Sequence, residues 1–170
     1  AGAADLRVCV VDNASADGTI ETVADLDVTV LRQRENRGFA AGCNIGWRAG
    51  TAPVVLFLNP DATLPADGVR RLAQVLEEDD RVGLVGPRIV DPEGRPEESA
   101  FSFATPWWYW RRALFLHRLA PAGTAGETPD WDSGACMLLR RATLERLGGL
   151  DDGFFMYCED MDLARRVRAL

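Results

Sequence analysis

One apolar run, Val54-Val55-Leu56-Phe57-Leu58, constrains the fold of this chain more than any other segment. An uninterrupted run of β-branched, aliphatic and aromatic residues is typical of a strand that is buried on both faces, as in the centre of a parallel sheet. Asn59-Pro60-Asp61 ends the run, because proline has no backbone N–H to donate to a strand ladder. Amphipathic patterns before and after it predict helices over 38–50 and 68–78.

The same alternation continues along the chain. Further strands are predicted at 6–11 and 28–31, with a helix at 18–26 between them. A strand at 82–90 and an antiparallel strand at 99–103 follow. The order predicts an α/β fold with a mostly parallel, Rossmann-like sheet, helices on its faces and a smaller antiparallel part. A length of 170 residues, 47% of them hydrophobic, suits one globular domain with a real core.

Charge and composition exclude several classes of function. The net charge is −7 and no basic stripe is present, which argues against a nucleic-acid partner. Every basic residue is arginine, so lysine chemistry is excluded. The four cysteines have no CxxC spacing, which makes a zinc site unexpected; we predict buried, reduced thiols, Cys9 and Cys136 among them. His117, the single histidine, lies far from the other candidate residues.

Polar residues follow the first predicted strand. Asp12 and Asn13 come directly after the apolar residues 6–11, so Asp12 lies at the carboxyl end of a strand, where open α/β sheets bind ligands. Ser15 and Asp17 are both able to cap the helix that follows. Such turns are also common as plain connections, so this segment alone decides nothing.

The segment 36–46 places glycines at the start of a helix, where backbone N–H groups can approach a diphosphate closely. Asn36, Gly38 and Asn44 are the candidate ligand residues here. Gly46 and Gly50 are better explained by tight helix packing. The next candidate residue, Asp61, follows the strand 54–58 and would be a metal ligand.

Asp61 lies just past the end of the most apolar strand. Mg²⁺ or Mn²⁺ bound together with a diphosphate needs only one or two protein carboxylates. The position therefore favours a metal ligand, and an ordinary turn aspartate is the alternative.

A helix predicted from Glu159 opens with acidic residues. Asp160 shares a face with the apolar residues Leu163, Ala164 and Val167, so we expect Asp160 at the mouth of the buried side and Glu159 pointing elsewhere. A partly desolvated carboxylate beside a cleft suits a general base. Attraction between acidic side chains and the helix dipole is the alternative, and it accounts well for Asp162.

Taken together, these segments resemble family 2 glycosyltransferases, in the branch of bacterial rhamnosyltransferase-like enzymes. The matching stretches are DNASADGT, ENRGFAAGCNIG, FLNPDA, WDSGACMLLRR and FFMYCEDMDLARR. The resemblance implies the GT-A fold, with a nucleotide-binding half at 1–90 and an acceptor-binding half at 91–170 in a single domain. It also implies inverting transfer from a nucleotide-diphosphate sugar, with Mg²⁺ or Mn²⁺ as the cofactor.

By position, the resemblance makes Asp160 the catalytic base and Asp61 the metal ligand, in a DXD pattern that reads Asn59-Pro60-Asp61 here. The nucleotide-sugar would lie near Asp12, Asn13, Ser15, Asn36, Gly38, Asn44 and Asn59. The acceptor or donor-sugar side would comprise Trp131, Ser133, Gly134 and Glu159. The family usually begins with one more apolar strand, which is absent before Leu6, so we expect this chain to be a piece of a longer protein.

The resemblance implies dTDP-rhamnose as the first donor to consider, with UDP-galactofuranose or UDP-galactose next. A glycan or lipid-linked hydroxyl in cell-wall or polysaccharide biosynthesis would be the acceptor, and the location would be cytoplasmic, at the inner face of the membrane. Two alternatives stay open: a non-catalytic nucleotide-sugar-binding module, and a sugar nucleotidyltransferase. The second would need a Gly-rich N-terminal loop followed by arginine and a nearby lysine, and this chain shows no such loop and no lysine.

The segment Trp107-Trp108-Tyr109-Trp110-Arg111-Arg112 is unusual for an acidic domain. Trp and Tyr suit surfaces that are apolar on one side and wet on the other, and arginine suits phosphate groups. We predict a contact with the acceptor or a membrane surface. Packing of a helix onto the sheet and a homodimer contact are the alternatives.

Overall fold

The computed structural model describes residues 6–65, 67–97, 99–101, 103 and 129–170. The predictions for Trp107–Arg112 and for His117 therefore lie outside the described residues and stay predictions. Within those ranges, no helix is both long enough and apolar enough to cross a lipid bilayer.

The elements alternate along the chain as the sequence predicts. The strands are β1 (Cys9–Asp12), β2 (Thr29–Arg32), β3 (Val54–Leu58), β4 (Leu84–Val85), β5 (Ala100–Phe101), β6 (Trp131–Asp132) and β7 (Cys136–Arg140). The α-helices are α1 (Phe39–Ala49), α2 (Gly68–Glu78), α3 (Arg141–Leu147) and α4 (Glu159–Arg168). A short 3₁₀ helix covers Thr19–Val23.

Within the described residues, the strands form three hydrogen-bonded groups. Strands β1 and β2 pair in parallel. Strand β7 lies between β3 and β4 and is antiparallel to both, so β3 and β4 run in the same direction on either side of it. Strands β5 and β6 form an antiparallel pair. The apolar run 54–58 is thus a strand as predicted, but among the described residues its one partner is the antiparallel β7.

Strand β7 is the centre of the core. Successive side chains of a strand point to opposite faces. Met137 and Leu139 accordingly pack on one face, with residues of α1, α3 and α4, while Cys136 and Leu138 pack on the other, against α2. All four are at most 4% exposed. Burial on both faces explains why β7 is apolar at consecutive positions rather than at alternate ones.

Helix α1 covers strand β1 through small residues. A methyl group added to Gly46 would lie 3.1 Å from Val11 Cγ2, and one added to Gly42 would lie 3.4 Å from Asn13 Nδ2. The prediction that Gly46 serves tight packing is confirmed. The close approach fixes the first residues of α1 beside the end of β1.

Several local predictions were wrong in extent. The helix expected at 18–26 is only the 3₁₀ turn, because Ile20 is its single buried residue and a short helix without an apolar stripe is unstable. The strand expected at 82–90 ends at Val85, and Pro87 has no N–H to continue the ladder. The antiparallel strand expected at 99–103 is Ala100–Phe101, and it pairs with β6.

Two predictions about single side chains were also wrong. Cys9 is exposed rather than buried, although all four cysteines are free thiols as expected. Ser15 does not cap the following helix: its N–H donates to the Asp12 carboxylate, and Asp17 accepts from Thr19 instead.

Candidate active site

One edge of the three-stranded sheet gathers the candidate residues. Leu58 at the end of β3 pairs with Cys136 at the start of β7, and Asn59 N donates to Ala135 O at 2.9 Å. Because β4 runs parallel to β3, Gly86 after β4 also lies towards this edge. We call residues Asn59–Asp61, Gly86 and Ser133–Ala135 the ligand edge. Carboxyl ends of strands are where α/β sheets bind their ligands.

Asp160 is held against the ligand edge at the start of α4. Its Oδ2 accepts a hydrogen bond from Gly134 N at 2.9 Å, and its Oδ1 accepts one from Met161 N at 2.8 Å. A methyl group on Gly134 would lie 3.4 Å from Oδ2, an ordinary contact distance, so the carboxylate packs directly against this glycine. A carboxylate oxygen can accept two hydrogen bonds, so each oxygen keeps one lone pair for a ligand.

The face of α4 agrees with the sequence prediction for Asp160. Leu163 and Ala164 are buried, and Val167 packs against the same core. Asp160 itself is half-buried, at the boundary between that core and the ligand edge.

The start of α1 is joined to the loop that precedes α4. Phe39 N donates to Phe155 O at 2.9 Å. Gly38 has φ +88°, and any Cβ at this position would overlap the Phe155 carbonyl. Asn36 Oδ1 accepts from Gly38 N at 2.9 Å and holds the turn. The edge of the Phe39 ring lies near Gly134, so this junction reaches the ligand edge.

Asp12 and Asn13 connect β1 to the same junction. Asp12 is 8% exposed, and the Ser15 backbone N–H that it accepts holds the pKa of its carboxyl below the usual value. Asn13 Nδ2 donates to Gly38 O at 2.9 Å. Asn13 thus positions the start of α1, while nucleotide contacts for Asp12, Asn13 and Ser15 stay predictions.

Asn44 has the contacts of a core residue. It is 3% exposed. Its Oδ1 accepts from Trp47 Nε1 and from Leu150 N, and its Nδ2 donates to Leu150 O at 2.8 Å. These bonds fasten α1 to the turn after α3. The structure therefore supports packing, rather than ligand binding, as the reason for this asparagine.

Asn59 and Asp61 follow β3 at the ligand edge. Asp61 is exposed, whereas Asn59 Oδ1 is buried and has no hydrogen-bond partner among the described residues. An unpaired buried acceptor is uncommon and calls for a donor or a cation. In the described part of the chain, no three His, Cys, Asp or Glu side chains converge into a ready metal cage. The side-chain oxygens of Asn59 and Asp61 fit a cation that is bound by one or two protein oxygens plus diphosphate oxygens.

The prediction that Glu159 points away from the core was wrong. It is only 5% exposed, and its Oε2 has no hydrogen-bond partner within the described ranges. Burial, and secondarily the charge of Asp160, raises the pKa of the Glu159 carboxyl. Burial, and secondarily the charge of Glu159, raises the pKa of the Cys43 thiol to about 12. The thiol is thus no candidate nucleophile at neutral pH.

We expect the melting temperature of a Glu159→Gln variant, relative to that of the parent, to increase as the pH rises from 4 to 8. The pKa of Glu159 is raised in the folded state, above the unfolded-state value of about 4.3. The folded parent is therefore most stable below the unfolded-state pKa and loses stability as the pH rises through the folded-state pKa. Glutamine has no proton to lose, so the difference between the two proteins grows with pH. Thermal denaturation across this range measures it.

The exposed Glu77→Gln variant is the matched control for Glu159, and its melting temperature should follow the parent at each pH. A difference between Glu159→Gln and the parent that is constant with pH would contradict the assigned burial effect.

The segment before β7 continues the ligand edge beyond Ala135, which accepts from Asn59 N. Trp131 stacks on Phe101, with ring centroids 4.4 Å apart and an interplanar angle of 22°. Ser133 N donates to Ser99 O at 2.8 Å and fixes the approach to Gly134. Roles of Trp131, Ser133 and Gly134 in binding an acceptor or a donor sugar stay predictions.

Sequence reasoning missed two features of this site. The first is the Phe155 carbonyl, which accepts from the start of α1; no sequence pattern reports a main-chain acceptor. The second is Asp132, whose carboxyl rests against Gly86. Its signal was available, because an acidic residue in the otherwise apolar and small stretch 131–138 is out of pattern.

Comparison with known proteins agrees with the geometry. The family model described as glycosyl transferase family 2 matches residues 2–148. The chain is 31% identical over 190 residues to the N-acetylglucosaminyl-diphospho-decaprenol L-rhamnosyltransferase of Mycobacterium tuberculosis, covering 95% of this chain and 61% of that protein. It is 28% identical to the low-salt glycan biosynthesis hexosyltransferase Agl10 of Haloferax volcanii, covering 94% of this chain and 52% of that protein. The chain thus spans about half to three fifths of these relatives.

Solved structures share this fold, and one of them is a mannosyltransferase. The mannosyltransferase PcManGT from Pyrobaculum calidifontis, in complex with GDP-Man and Mn²⁺, aligns with a TM-score of 0.61 at 26% identity, over 95% of this chain and 42% of that one. S. aureus TarS aligns with a TM-score of 0.69 at 17% identity, over 99% of this chain and 28% of that one, which speaks for the fold alone. The α/β architecture is that of GT-A enzymes, as the resemblance implies. The chain belongs to glycosyl transferase family 2.

Proposed function

We propose that this chain carries the catalytic site of an inverting, metal-dependent glycosyltransferase. It transfers a sugar, rhamnose from dTDP-rhamnose as the first choice, to a hydroxyl of a lipid-linked or polysaccharide acceptor. The observation that carries the proposal is the Asp160 carboxylate, fixed by two backbone N–H groups at the ligand edge that also holds Asp61. A base and a metal-binding carboxylate at the carboxyl ends of strands are parts that sugar transfer requires.

Asp160 is the general base in this mechanism. Its two backbone hydrogen bonds fix the orientation of the carboxylate, and the remaining lone pair on Oδ2 or Oδ1 accepts the proton of the acceptor hydroxyl. The oxygen so activated attacks the anomeric carbon on the face opposite the diphosphate. A new C–O bond forms as the bond to the diphosphate breaks, and the configuration at that carbon is inverted.

Asp61 and the diphosphate oxygens would hold Mg²⁺ or Mn²⁺. Asn59 Oδ1, two residues before Asp61, is buried without a hydrogen-bond partner among the described residues and would be a second protein oxygen for the cation. The cation supplies charge neutralisation for the departing diphosphate. With a nucleoside diphosphate leaving, no protein acid is needed. This is consistent with a site that has one positioned base.

The donor and acceptor are inferred from the relatives. The names of two relatives specify a rhamnosyltransferase acting on N-acetylglucosaminyl-diphospho-decaprenol and a hexosyltransferase of glycan biosynthesis. A polyprenyl-linked acceptor resides in a membrane, so the proposed location is the cytoplasmic face of that membrane. Contact of the segment 107–112 with that surface, or with a second copy of the chain, belongs to the same proposal.

The proposed function is tested by a thermal-shift panel of nucleotide-sugars, with and without Mn²⁺, followed by transfer assays. A specific ligand stabilises the folded state by mass action, so the true donor raises the melting temperature most. We expect dTDP-rhamnose to lead the panel and its shift to need Mn²⁺. Equal melting-temperature shifts for all nucleotide-sugars, or a transfer rate that is unchanged by the chelator EDTA, would contradict the proposal.

We expect Asp61→Asn to weaken Mn²⁺-dependent donor binding by about tenfold or more, roughly 1.4 kcal/mol. The amide keeps the shape of the side chain but removes the charge that a hard cation prefers. Calorimetric titration of the donor with and without Mn²⁺ measures the change. The exposed Asp80→Asn variant, remote from the ligand edge on the loop after α2, is the control and should bind as the parent does. Equal affinities for Asp61→Asn and the parent would contradict the assignment.

A further inference from the structure

Asp132 is a half-buried carboxylate that the mechanism above does not use. Within the described ranges its carboxyl group has no hydrogen bond and no ion pair, in contrast to Asp130 two residues earlier. Asp130 accepts from Phe103 N at 2.9 Å and forms a salt bridge with Arg168 at 3.0 Å. A carboxylate that is partly removed from water without a partner lowers stability, so its presence calls for another reason.

The carboxyl group of Asp132 occupies space that Gly86 leaves open. A methyl group added to Gly86 would lie 2.9 Å from Asp132 Oδ2 and 3.0 Å from its Cβ. The side chain is therefore packed in a defined place, against the backbone at the carboxyl end of β4. Burial raises the pKa of this carboxyl, and no neighbouring charge contributes to that shift.

This place is on the ligand edge, on the far side of β7 from Asp61. Strand order β3-β7-β4 puts Asp61, after β3, and Gly86, after β4, on either side of the start of β7. Two interstrand spacings amount to about 10 Å. Asp160, bonded to Gly134 just before β7, lies in the middle of that interval.

The strand that carries Asp132 also presents an aromatic surface. Trp131 and Phe101 stack on each other across β5 and β6, and neighbouring residues of a strand point to opposite faces, so Asp132 lies on the other face of this two-stranded ribbon. The stacked rings join the two strands on that face. On the other face, the carboxylate of Asp132 offers acceptor atoms to hydroxyl donors.

We propose that Asp132 is an acceptor-binding residue: its carboxylate accepts hydrogen bonds from hydroxyl groups of the acceptor sugar, and it does so on the side of Asp160 opposite the donor. The proposal rests on the proposed function and adds the acceptor subsite to it. A polyhydroxylated ring is the chemistry that fits, because an unpaired carboxylate offers only acceptor atoms and a sugar offers adjacent O–H donors.

The test is steady-state kinetics of Asp132→Asn and Asp132→Ala with dTDP-rhamnose, Mn²⁺ and a synthetic N-acetylglucosaminyl diphospholipid. We expect the KM for this acceptor to rise by about tenfold or more, as for the loss of a hydrogen bond to a charged group. The KM for the donor, and the slow hydrolysis of the donor without acceptor, should stay at parental values, because Asp132 is remote from Asp61.

Asp130→Asn is the matched control. It loses a salt bridge and should lower the melting temperature, with the acceptor KM unchanged. Asp132→Asn should do the reverse, with a melting temperature at pH 7 equal to or above that of the parent. An unchanged acceptor KM for both Asp132 variants, or a melting temperature lowered as in Asp130→Asn, would overturn the subsite while leaving the proposed function intact. A parent chain without donor binding, hydrolysis or transfer would overturn the proposed function and the subsite with it.

Discussion

Asp160→Asn is expected to reduce the rate of sugar transfer by roughly 10²–10⁴-fold while donor binding stays near the parental level. The asparagine keeps one oxygen, which can still accept from Gly134 N or from Met161 N, but its NH2 group faces the other N–H and it cannot take a proton from a hydroxyl. The lost backbone hydrogen bond should cost only about 1 kcal/mol of stability. Initial rates, donor titration and thermal denaturation of the same preparation measure the three quantities.

Asp162→Asn is the matched control for Asp160→Asn, because it removes a carboxylate from the same first turn of α4. Asp162 pairs with Arg166 at 2.7 Å, so its loss should lower stability and leave the rate of transfer close to that of the parent. Helix-dipole effects would be shared by the two variants. Equal losses of activity in both, or full activity in Asp160→Asn, would show that Asp160 is not the base.

Gly38→Ala is expected to destabilise the chain by roughly 2 kcal/mol or more and to reduce activity together with stability. Gly38 has φ +88° and ψ 172°, a backbone region open essentially to glycine alone. A Cβ there would also overlap the Phe155 carbonyl that accepts from Phe39 N. The loop before Glu159 and Asp160 must therefore move. Denaturation curves and transfer rates measure the two effects.

Gly148→Ala separates backbone strain from overlap. Gly148 also has a positive φ, +76°, but no atom lies within 4 Å of a Cβ placed there. This control should lose only about 1 kcal/mol, the usual cost of a left-handed residue with a side chain, and should keep its transfer activity. If both alanine variants lost the same stability and activity, the junction between α1 and the loop before α4 would not be what holds the site.

The sequence allowed the prediction of elements whose own residues determine them. Helices α1 and α2 and strand β3 carry strong periodic patterns, and each was predicted to within a residue of its bounds. The start of α4 at Glu159 was likewise predicted, since acidic residues open an apolar repeat there. The position of Asp61 followed, because it depends only on where β3 ends.

Features that depend on distant partners were not predictable in the same way. Glu159 is buried because the preceding loop turns through Tyr157 and Cys158, both with positive φ, and no hydrophobic period records such a turn. The pairing of β3 with β7 joins segments far apart in the chain, and the apolar run alone fitted a parallel neighbour equally well. Asn44 satisfied a ligand pattern from the sequence but bonds to Leu150 in the core.

The central place of β7 has a consequence for how the chain folds. Val54 pairs with Arg140 and Leu84 with Leu139, so neither β3 nor β4 reaches its sheet partner until a strand late in the chain is available. Such non-local pairing raises contact order and slows folding, because the entropy of closing long loops is lost before the contacts that compensate it form. During synthesis, the apolar strand β3 would stay without its partner β7 until the ribosome has made the residues up to β7. A nascent chain of this kind depends on chaperones more than one built from neighbouring hairpins.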